Sequence, residues 1–258
     1  MTINPLYSVA GVLVGLLVGL TGVGGGSLMT PLLVLAFGFH PSTAVGTDLL
    51  YAAATKTVGT TVHGWRGTVD WRIVGTLAAG SMPATVLTLL LLGHAGERSP
   101  AVDHLIAVAL GSVLIVTALA TLARRRLIAW LTRRLGEADG GRRTGLTVLL
   151  GAVLGVLVSL TSVGAGALGM TALLVLYPRH PLNRLVGSDI AHAVPLTLVA
   201  GLGHWALGGV DPSLLASLLV GSIPGIVAGS LIAARVSEGV LRPILAVTLA
   251  VVGVKLLV

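Results

Sequence analysis

Apolar residues along this chain gather into long runs that short polar segments separate. Most of these runs approach the ~20 residues that an α-helix needs to cross a hydrocarbon core of ~30 Å. They cover residues 5–22, 43–64, 71–92, 105–123, 144–162, 185–207, 213–234 and 243–258. The pattern therefore predicts an all-α integral membrane protein that crosses the bilayer several times.

The apolar pattern of the first half recurs in the second half. Residues 20–33 read LTGVGGGSLMTPLL, and residues 160–174 read LTSVGAGALGMTALL. Further along the chain, VGTD at 45–48 corresponds to VGSD at 186–189. We therefore predict two homologous repeats of about four transmembrane helices each, joined by a basic linker. The N-terminal repeat, the linker and the C-terminal repeat cover 1–123, 124–143 and 144–258.

Each repeat opens with a glycine-rich break inside an apolar run. Gly24, Gly25 and Gly26 break the first run, and Gly164 and Gly166 break the second. Glycine lets the backbone turn and approach a ligand closely, but such backbone is tolerated at membrane depth only against protein or a water-filled cavity. Paired interruptions at corresponding positions are typical of a transporter site at a repeat interface. We therefore predict a re-entrant first segment in each repeat; helix packing through small residues is the alternative.

The short helix after the first break is predicted to help bind an anion. It should begin near Ser27 and direct its N-terminal dipole and free N–H groups towards the break, which favours negative charge. Lys56 lies inside the run 43–64, where a charged side chain is costly unless it faces a cavity or a partner. The predicted substrate-binding residues are Gly24, Gly25, Gly26, Ser27, Lys56, Gly164 and Gly166. For Lys56, snorkelling or pairing with an aspartate is the alternative.

Two aspartates and two histidines occupy corresponding positions in the repeats. Asp48 and Asp189 lie near the start of their predicted helices, and His63 and His204 lie at the far ends of the same helices. Intramembrane carboxylates mark proton pathways, and histidine changes charge near neutral pH. We predict that these four residues act in proton coupling or gating. Helix capping by the aspartates and interfacial hydrogen bonds of the histidines are the alternatives.

The distribution of arginine and lysine favours inverted repeats over parallel ones. If each glycine break reverses the chain, thirteen cations lie on one side, and only Arg98 and Lys255 lie on the other. The thirteen are Arg66, Arg72, the seven arginines of 124–143, Arg179, Arg184, Arg235 and Arg242. Parallel repeats of eight plain spans would divide the same residues ten to five. Because cytoplasmic loops are rich in lysine and arginine, we expect inverted repeats, with both termini outside and the linker in the cytoplasm.

Composition excludes several classes of protein and of site. The chain is 55% apolar and 10% charged, which is too apolar for a soluble domain of this length. It contains no cysteine, so disulfides and thiolate metal sites are excluded. We attribute the net charge of +7 to membrane topology and not to nucleic-acid binding. We predict no metal, no cofactor and no catalytic residue.

Several motifs resemble the sulfite exporter TauE/SafE family of membrane permeases. The resemblance covers 5–258 apart from the linker, and it includes the order and spacing of the motifs. It rests on GVGGGSLMTPLL, AVGTDLLYAAATK, HGWRGTVDW and AAGSMPA in the first half, and on GSDIAHAVPL and GGVDPSLLASLLVGSIPG in the second. The resemblance implies transport of small sulfur-containing anions, such as sulfite or organosulfonates, across a bacterial inner membrane.

The chain departs from the family pattern at a few positions. Ala165 and Thr171 replace the glycine and the proline that the family motif would place in the second repeat. Asp48 and Asp189 stand where the family often has serine. A carboxylate would repel sulfite unless it is protonated or paired with Lys56.

We therefore interpret the chain as a secondary transporter, driven by protons, of a small inorganic or organosulfur anion. Its other partners are membrane lipids, and the sequence is compatible with a homodimer. The alternatives are an intramembrane enzyme that uses Asp48 and Asp189, and a passive anion channel. Inverted repeats should place the two aspartates towards opposite faces, which argues against a shared catalytic centre.

Overall fold

The structure is a computed structural model that describes residues 3–21, 26–65, 67–96, 99–135, 140–233 and 238–258. Within these ranges the chain forms only α-helices, which are numbered here in chain order. They are α1 Pro5–Thr21, α2 Gly26–Leu35, α3 Pro41–Trp65, α4 Trp71–Ala95, α5 Pro100–Leu122, α6 Arg124–Leu135, α7 Gly140–Thr161, α8 Ala167–Leu176, α9 Leu182–Ala206, α10 Pro212–Ala233 and α11 Glu238–Leu257. The all-helical prediction is confirmed for this part of the chain.

Among the described residues, five helices are long and apolar enough to cross a membrane by length and composition, namely α4, α5, α7, α9 and α10. Shorter apolar segments lie in α1, α8 and α11. Helix α3 has 25 residues, about 37 Å at 1.5 Å per residue, but it is more polar than the run 43–64 suggests. It carries Asp48 and Lys56 and many threonines, and its middle is buried by other helices.

The most extensive helix contacts join the two halves of the chain, pairing α1 with α10, α4 with α7, α3 with α9 and α5 with α11. Two of these pairs approach so closely that only glycine fits between the backbones. A Cβ atom at Gly80 of α4 would overlap the carbonyl oxygen of Val148, and one at Gly221 of α10 would overlap that of Ser8. Small residues permit this backbone approach in membrane helices.

The chain reverses direction after α1 and again after α7. The Tyr7 ring at the start of α1 contacts Phe37, beyond the end of α2, with ring centroids 5.2 Å apart. In the second half, the Tyr177 hydroxyl at the end of α8 lies 3.0 Å from Thr147 Oγ1, near the start of α7. Each short helix therefore runs back towards the end from which the preceding helix came, as a re-entrant segment requires.

The predicted basic linker contains a helix. Residues Arg124–Leu135 form α6, which contacts α8 and the end of α5. Leu127, Ile128 and Leu131 are half-buried, and their spacing places them on one face of the helix. The arginines on either side of these residues extend the amphipathic pattern.

Candidate functional site

Helices α3 and α9 form the centre of the candidate site and run antiparallel. Gly46 near the start of α3 packs against His204 near the end of α9, and Gly201 packs against Leu50. Each helix carries an aspartate and a second polar side chain three residues later, which places both on one face. These pairs are Asp48 with Tyr51 and Asp189 with His192, and all four side chains are buried.

Asp48 connects the short helix of one half with the broken segment of the other. Thr30 in α2 donates a hydrogen bond from its hydroxyl to Asp48 Oδ2 at 2.5 Å. The Ser162 side chain, in the segment between α7 and α8, lies near the same carboxylate. Ser162 has a φ of 58°, a left-handed conformation that residues other than glycine adopt rarely. The backbone around the second break is therefore strained beside Asp48.

Lys56 lies between the two aspartates. Its ammonium group interacts electrostatically with the carboxylate of Asp189 and also with that of Asp48. Asp48 precedes Lys56 by eight residues in α3, about 12 Å along a helix axis. The site thus combines one cationic side chain with two carboxyl groups, supplied from opposite ends of the α3–α9 pair.

The second half supplies contacts from α8 and α4. Asp189 Oδ1 lies 2.9 Å from where a Cβ atom on Gly169 would be, so a glycine in α8 leaves room for this carboxylate. His192 Nε2 lies 2.8 Å from Ser81 Oγ in α4. The imidazole is therefore fixed by a hydrogen bond on one nitrogen only.

Five buried polar atoms of this cluster lack a hydrogen-bond partner among the described residues. They are Asp48 Oδ1, Tyr51 OH, Ser162 Oγ, Asp189 Oδ1 and His192 Nδ1. Leaving one buried polar group unpaired costs about 1–3 kcal/mol, and folded proteins contain few such groups. Three of these atoms belong to Asp48, Asp189 and His192, on which the charge of Lys56 acts, which indicates a site that offers hydrogen bonds to a ligand, to water or to protons.

Comparison with known proteins identifies the family of this chain. The family model described as "Sulfite exporter TauE/SafE" matches residues 7–256. The chain belongs to the sulfite exporter TauE/SafE family. The earlier resemblance is therefore confirmed, and the chain is a multi-pass bacterial membrane protein of a transporter family.

Individual relatives of this TauE/SafE chain match it over nearly its whole length. The "Probable membrane transporter protein YjnA" of Bacillus subtilis (strain 168) is 40% identical over 248 residues, covering 96% of this chain and 97% of the relative. The "Probable membrane transporter protein YdhB" of the same strain is 28% identical, covering 95% and 96%. A "Probable membrane transporter protein" of Xylella fastidiosa (strain 9a5c) is also 28% identical, covering 92% and 88%. No solved structure matches this TauE/SafE chain.

The glycine breaks of this family member are only partly described by the structure. Gly24 and Gly25 lie outside the described residues, Gly26 is the first residue of α2, and Ser27 is buried in its first turn. Gly164 has a φ of +124°, and Gly166 precedes α8 without a side-chain cap. Their contact with substrate stays a prediction.

His63 and His204 lie far along the helix from the aspartate of their own helix, whereas His204 packs against Gly46, two residues before Asp48 in α3. Each lies 15 residues beyond the aspartate of its own helix, about 22 Å along the axis. His63 Nδ1 lies 2.9 Å from Thr68 Oγ1, and His204 Nε2 lies 2.8 Å from the Ser159 carbonyl oxygen. These contacts favour the alternative of interfacial hydrogen bonds, and a role in proton coupling or gating stays a prediction.

Sequence reasoning missed several members of the cluster. Tyr51 and His192 carry a usable signal, since D-x-x-Y at 48–51 corresponds to D-x-x-H at 189–192. Thr30, Ser81 and Ser162 carry none, because serine or threonine occurs in every described helix of this TauE/SafE chain. Within the described ranges, no group of three or more histidine, aspartate or glutamate side chains is placed to hold a metal ion.

A cavity of 540 Å³ opens at one end of the α3–α9 pair and is separate from the polar cluster. It is lined by Phe39, His40, Thr43, Val210, Asp211 and Pro212. The Asp211 backbone N–H donates to Thr47 Oγ1 at 3.2 Å, and Thr47 precedes Asp48 in the chain. We place the site at the buried cluster because the unpaired polar atoms are there, and we regard the cavity as its mouth.

Proposed function

We propose that this protein is a secondary transporter of a small sulfur-containing anion, such as sulfite or an organosulfonate, across the bacterial inner membrane. The observation that carries the proposal is the set of unpaired buried polar atoms on α3, on α9 and in the segment between α7 and α8, together with the charge of Lys56. The name of the family supports sulfite or a related anion as substrate. Lys56 and the N–H groups at the start of α2 and α8 offset the charge of the anion.

The charges of the site support a proposal of proton coupling. With Asp48 and Asp189 ionised, two negative groups face one Lys56 ammonium, and an anion would enter a site that already has negative net charge. Protonation of one carboxylate removes that repulsion, because like charges in a buried site disfavour joint ionisation. We therefore propose that the anion and at least one proton occupy the site together.

We propose further that the two halves are inverted repeats. Several contacts of the first half have counterparts in the second when the halves are exchanged. The Asp70 N–H donates to Ser188 Oγ at 2.8 Å, and the corresponding Asp211 N–H donates to Thr47 Oγ1 at 3.2 Å. Gly80 closely approaches Val148, and Gly221 closely approaches Ser8. Because Gly221 corresponds to Gly80 and Val148 corresponds to Ser8, these two contacts also match when the halves are exchanged.

The two mouths differ in a way that supports alternating access. At one mouth, His180 Nε2 lies 3.9 Å from Asp70 Oδ2, and the His180 side chain is 31% exposed. At the other, the corresponding His40 lies 3.2 Å from Asp103 Oδ2 and is 81% exposed, while the cavity separates His40 from Asp211. We infer that the structure is open towards the outside and closed by the His180–Asp70 contact towards the cytoplasm.

Single cysteines test this topology, because the chain has no cysteine of its own. A cysteine at Gly96 should react with a membrane-impermeant maleimide from outside, and one at Gly140 only from the cytoplasm. Both positions are exposed. Among mouth positions, a cysteine at His40 should react faster than one at His180. Labelling of an N-terminal tag and of Gly140 from the same side would contradict inverted repeats.

Transport in proteoliposomes tests the function itself. Purified protein should take up at least one of sulfite, thiosulfate, sulfate and a sulfonate with saturable kinetics, and a proton gradient directed with the anion should increase the rate. Uptake that rises linearly with concentration and ignores the gradient would indicate a channel. Chemical conversion of the anion by detergent-solubilised protein would indicate an enzyme.

A further inference from the structure

We propose that His192 is a binding residue for the transported anion, and that it donates a hydrogen bond from Nδ1 and helps select the substrate. The proposal rests on the function proposed above and adds a residue to its site. His192 has no exposed surface. Its Nε2 contacts Ser81 Oγ at 2.8 Å, and its Nδ1 has no hydrogen-bond partner among the described residues.

The Ser81 contact orients the imidazole for this role. When the Ser81 hydroxyl donates to Nε2, the proton of the neutral ring resides on Nδ1, which then becomes a donor. Ser81 is itself buried in α4, and its carbonyl oxygen would lie 2.5 Å from a Cβ atom at Gly155. Tight packing of α4 on α7 therefore holds the serine in place, and the serine holds the ring.

The charges around His192 favour an anion as the group that Nδ1 meets. Asp189 precedes His192 by one helical turn on the same face of α9, and the Lys56 charge acts on both side chains. A cationic ligand would be repelled by the Lys56 ammonium and by the N–H donor at His192 Nδ1. An oxyanion suits both, because its several oxygens accept a charge-assisted hydrogen bond from each donor.

The corresponding position in the first half contains a different donor. Tyr51 corresponds to His192, it is fully buried, and its hydroxyl has no hydrogen-bond partner among the described residues. Ser222, which corresponds to Ser81, lies beside the Tyr51 hydroxyl. The two halves thus present a phenol and an imidazole at equivalent places. Donors of different size and reach can distinguish a compact anion, such as sulfite, from a larger sulfonate.

The test is the kinetics of anion uptake by His192→Leu and His192→Gln in proteoliposomes. His192→Leu should raise the KM for the preferred anion about tenfold or more, as loss of a hydrogen bond to a charged group predicts. His192→Gln retains an N–H donor and should raise the KM less. Both should change the ratio of the KM values for sulfite and for a sulfonate, which a purely structural role would not change. Ser81→Ala should shift that ratio in the same direction, because the ring loses its orientation.

Controls and a second measurement keep the test decisive. His94→Gln replaces an exposed histidine at the end of α4 and should leave both KM values unchanged. Thermal stabilisation of the detergent-solubilised protein by each anion measures binding without transport. If the wild type transports an anion and His192→Gln and Ser81→Ala keep its KM and selectivity, the role of His192 is refuted and the transport function stands. If no anion is transported or stabilises the wild type, the proposed function fails and His192 fails with it.

Discussion

Replacing Lys56 with threonine should weaken the affinity for the transported anion by about tenfold or more and leave the amount of protein in the membrane unchanged. Thr197 occupies the position in the second half of the chain that corresponds to Lys56 in the sequence, and it is buried, so we expect a neutral side chain to fit at this position. A charge-assisted hydrogen bond to an anion is worth about 1.5–3 kcal/mol, which accounts for the size of the effect. The KM for uptake and the anion-induced thermal shift both measure it.

Two further variants separate the possible partners of Lys56. Lys56→Arg should retain part of the function, because it keeps the charge but changes the geometry of the donors. Lys255→Thr removes a lysine that is exposed near the end of α11 and should have no effect on affinity. If Lys56→Thr lowers membrane abundance and Asp189→Asn restores it, the main partner of the lysine is a carboxylate. Unchanged affinity and flux in Lys56→Thr would refute the contact with the anion.

Gly80→Ala should strongly destabilise the protein, whereas Gly75→Ala in the same helix should be tolerated. A Cβ atom at Gly80 would overlap the Val148 carbonyl oxygen of α7, while nothing lies within 4 Å of a Cβ atom at Gly75. The clash involves two backbones and cannot be relieved by a rotamer change, so α4 and α7 must separate. Overpacking typically costs about 1–3 kcal/mol, which corresponds to a fall in thermal midpoint of roughly 2–12 °C for a chain of this size.

Gly221, the glycine in the second half that corresponds to Gly80, extends this test to the packing of α10 against α1. Gly221→Ala should resemble Gly80→Ala, because its Cβ atom would overlap the Ser8 carbonyl oxygen in α1. Thermal melts of all three variants in one detergent measure the effect. Equal midpoints for Gly75→Ala and Gly80→Ala would show that α4 and α7 do not pack as closely as described here.

Some features of the site could be predicted from local sequence alone. The membrane class follows from the length and apolar character of the runs, because the bilayer selects helices by those two properties. The chain reversals follow from the glycine breaks near Gly26 and Gly164, since a helix cannot continue at membrane depth through such a segment without support. Lys56 stands out because a charge inside an apolar run needs a partner. Each of these inferences uses residues that are neighbours along the chain.

Other features depend on helix pairing, which the sequence alone left open. The hydrogen bond between Ser81 and His192 joins residues 111 positions apart, and Asp48 meets Ser162 from the opposite half. Such contacts depend on which helices are adjacent, on their rotation and on their depth, and a change of one residue in register would turn each side chain to another face. The linker helix α6 belongs partly to each group of features. The period of its apolar residues can be read from the sequence, but its contact with α8 cannot. The sequence by itself therefore determined the class of protein, the broken helices and the isolated charge. Only the packing of α3, α4, α8 and α9 decided which polar side chains share the site, because that packing depends on contacts across the whole chain.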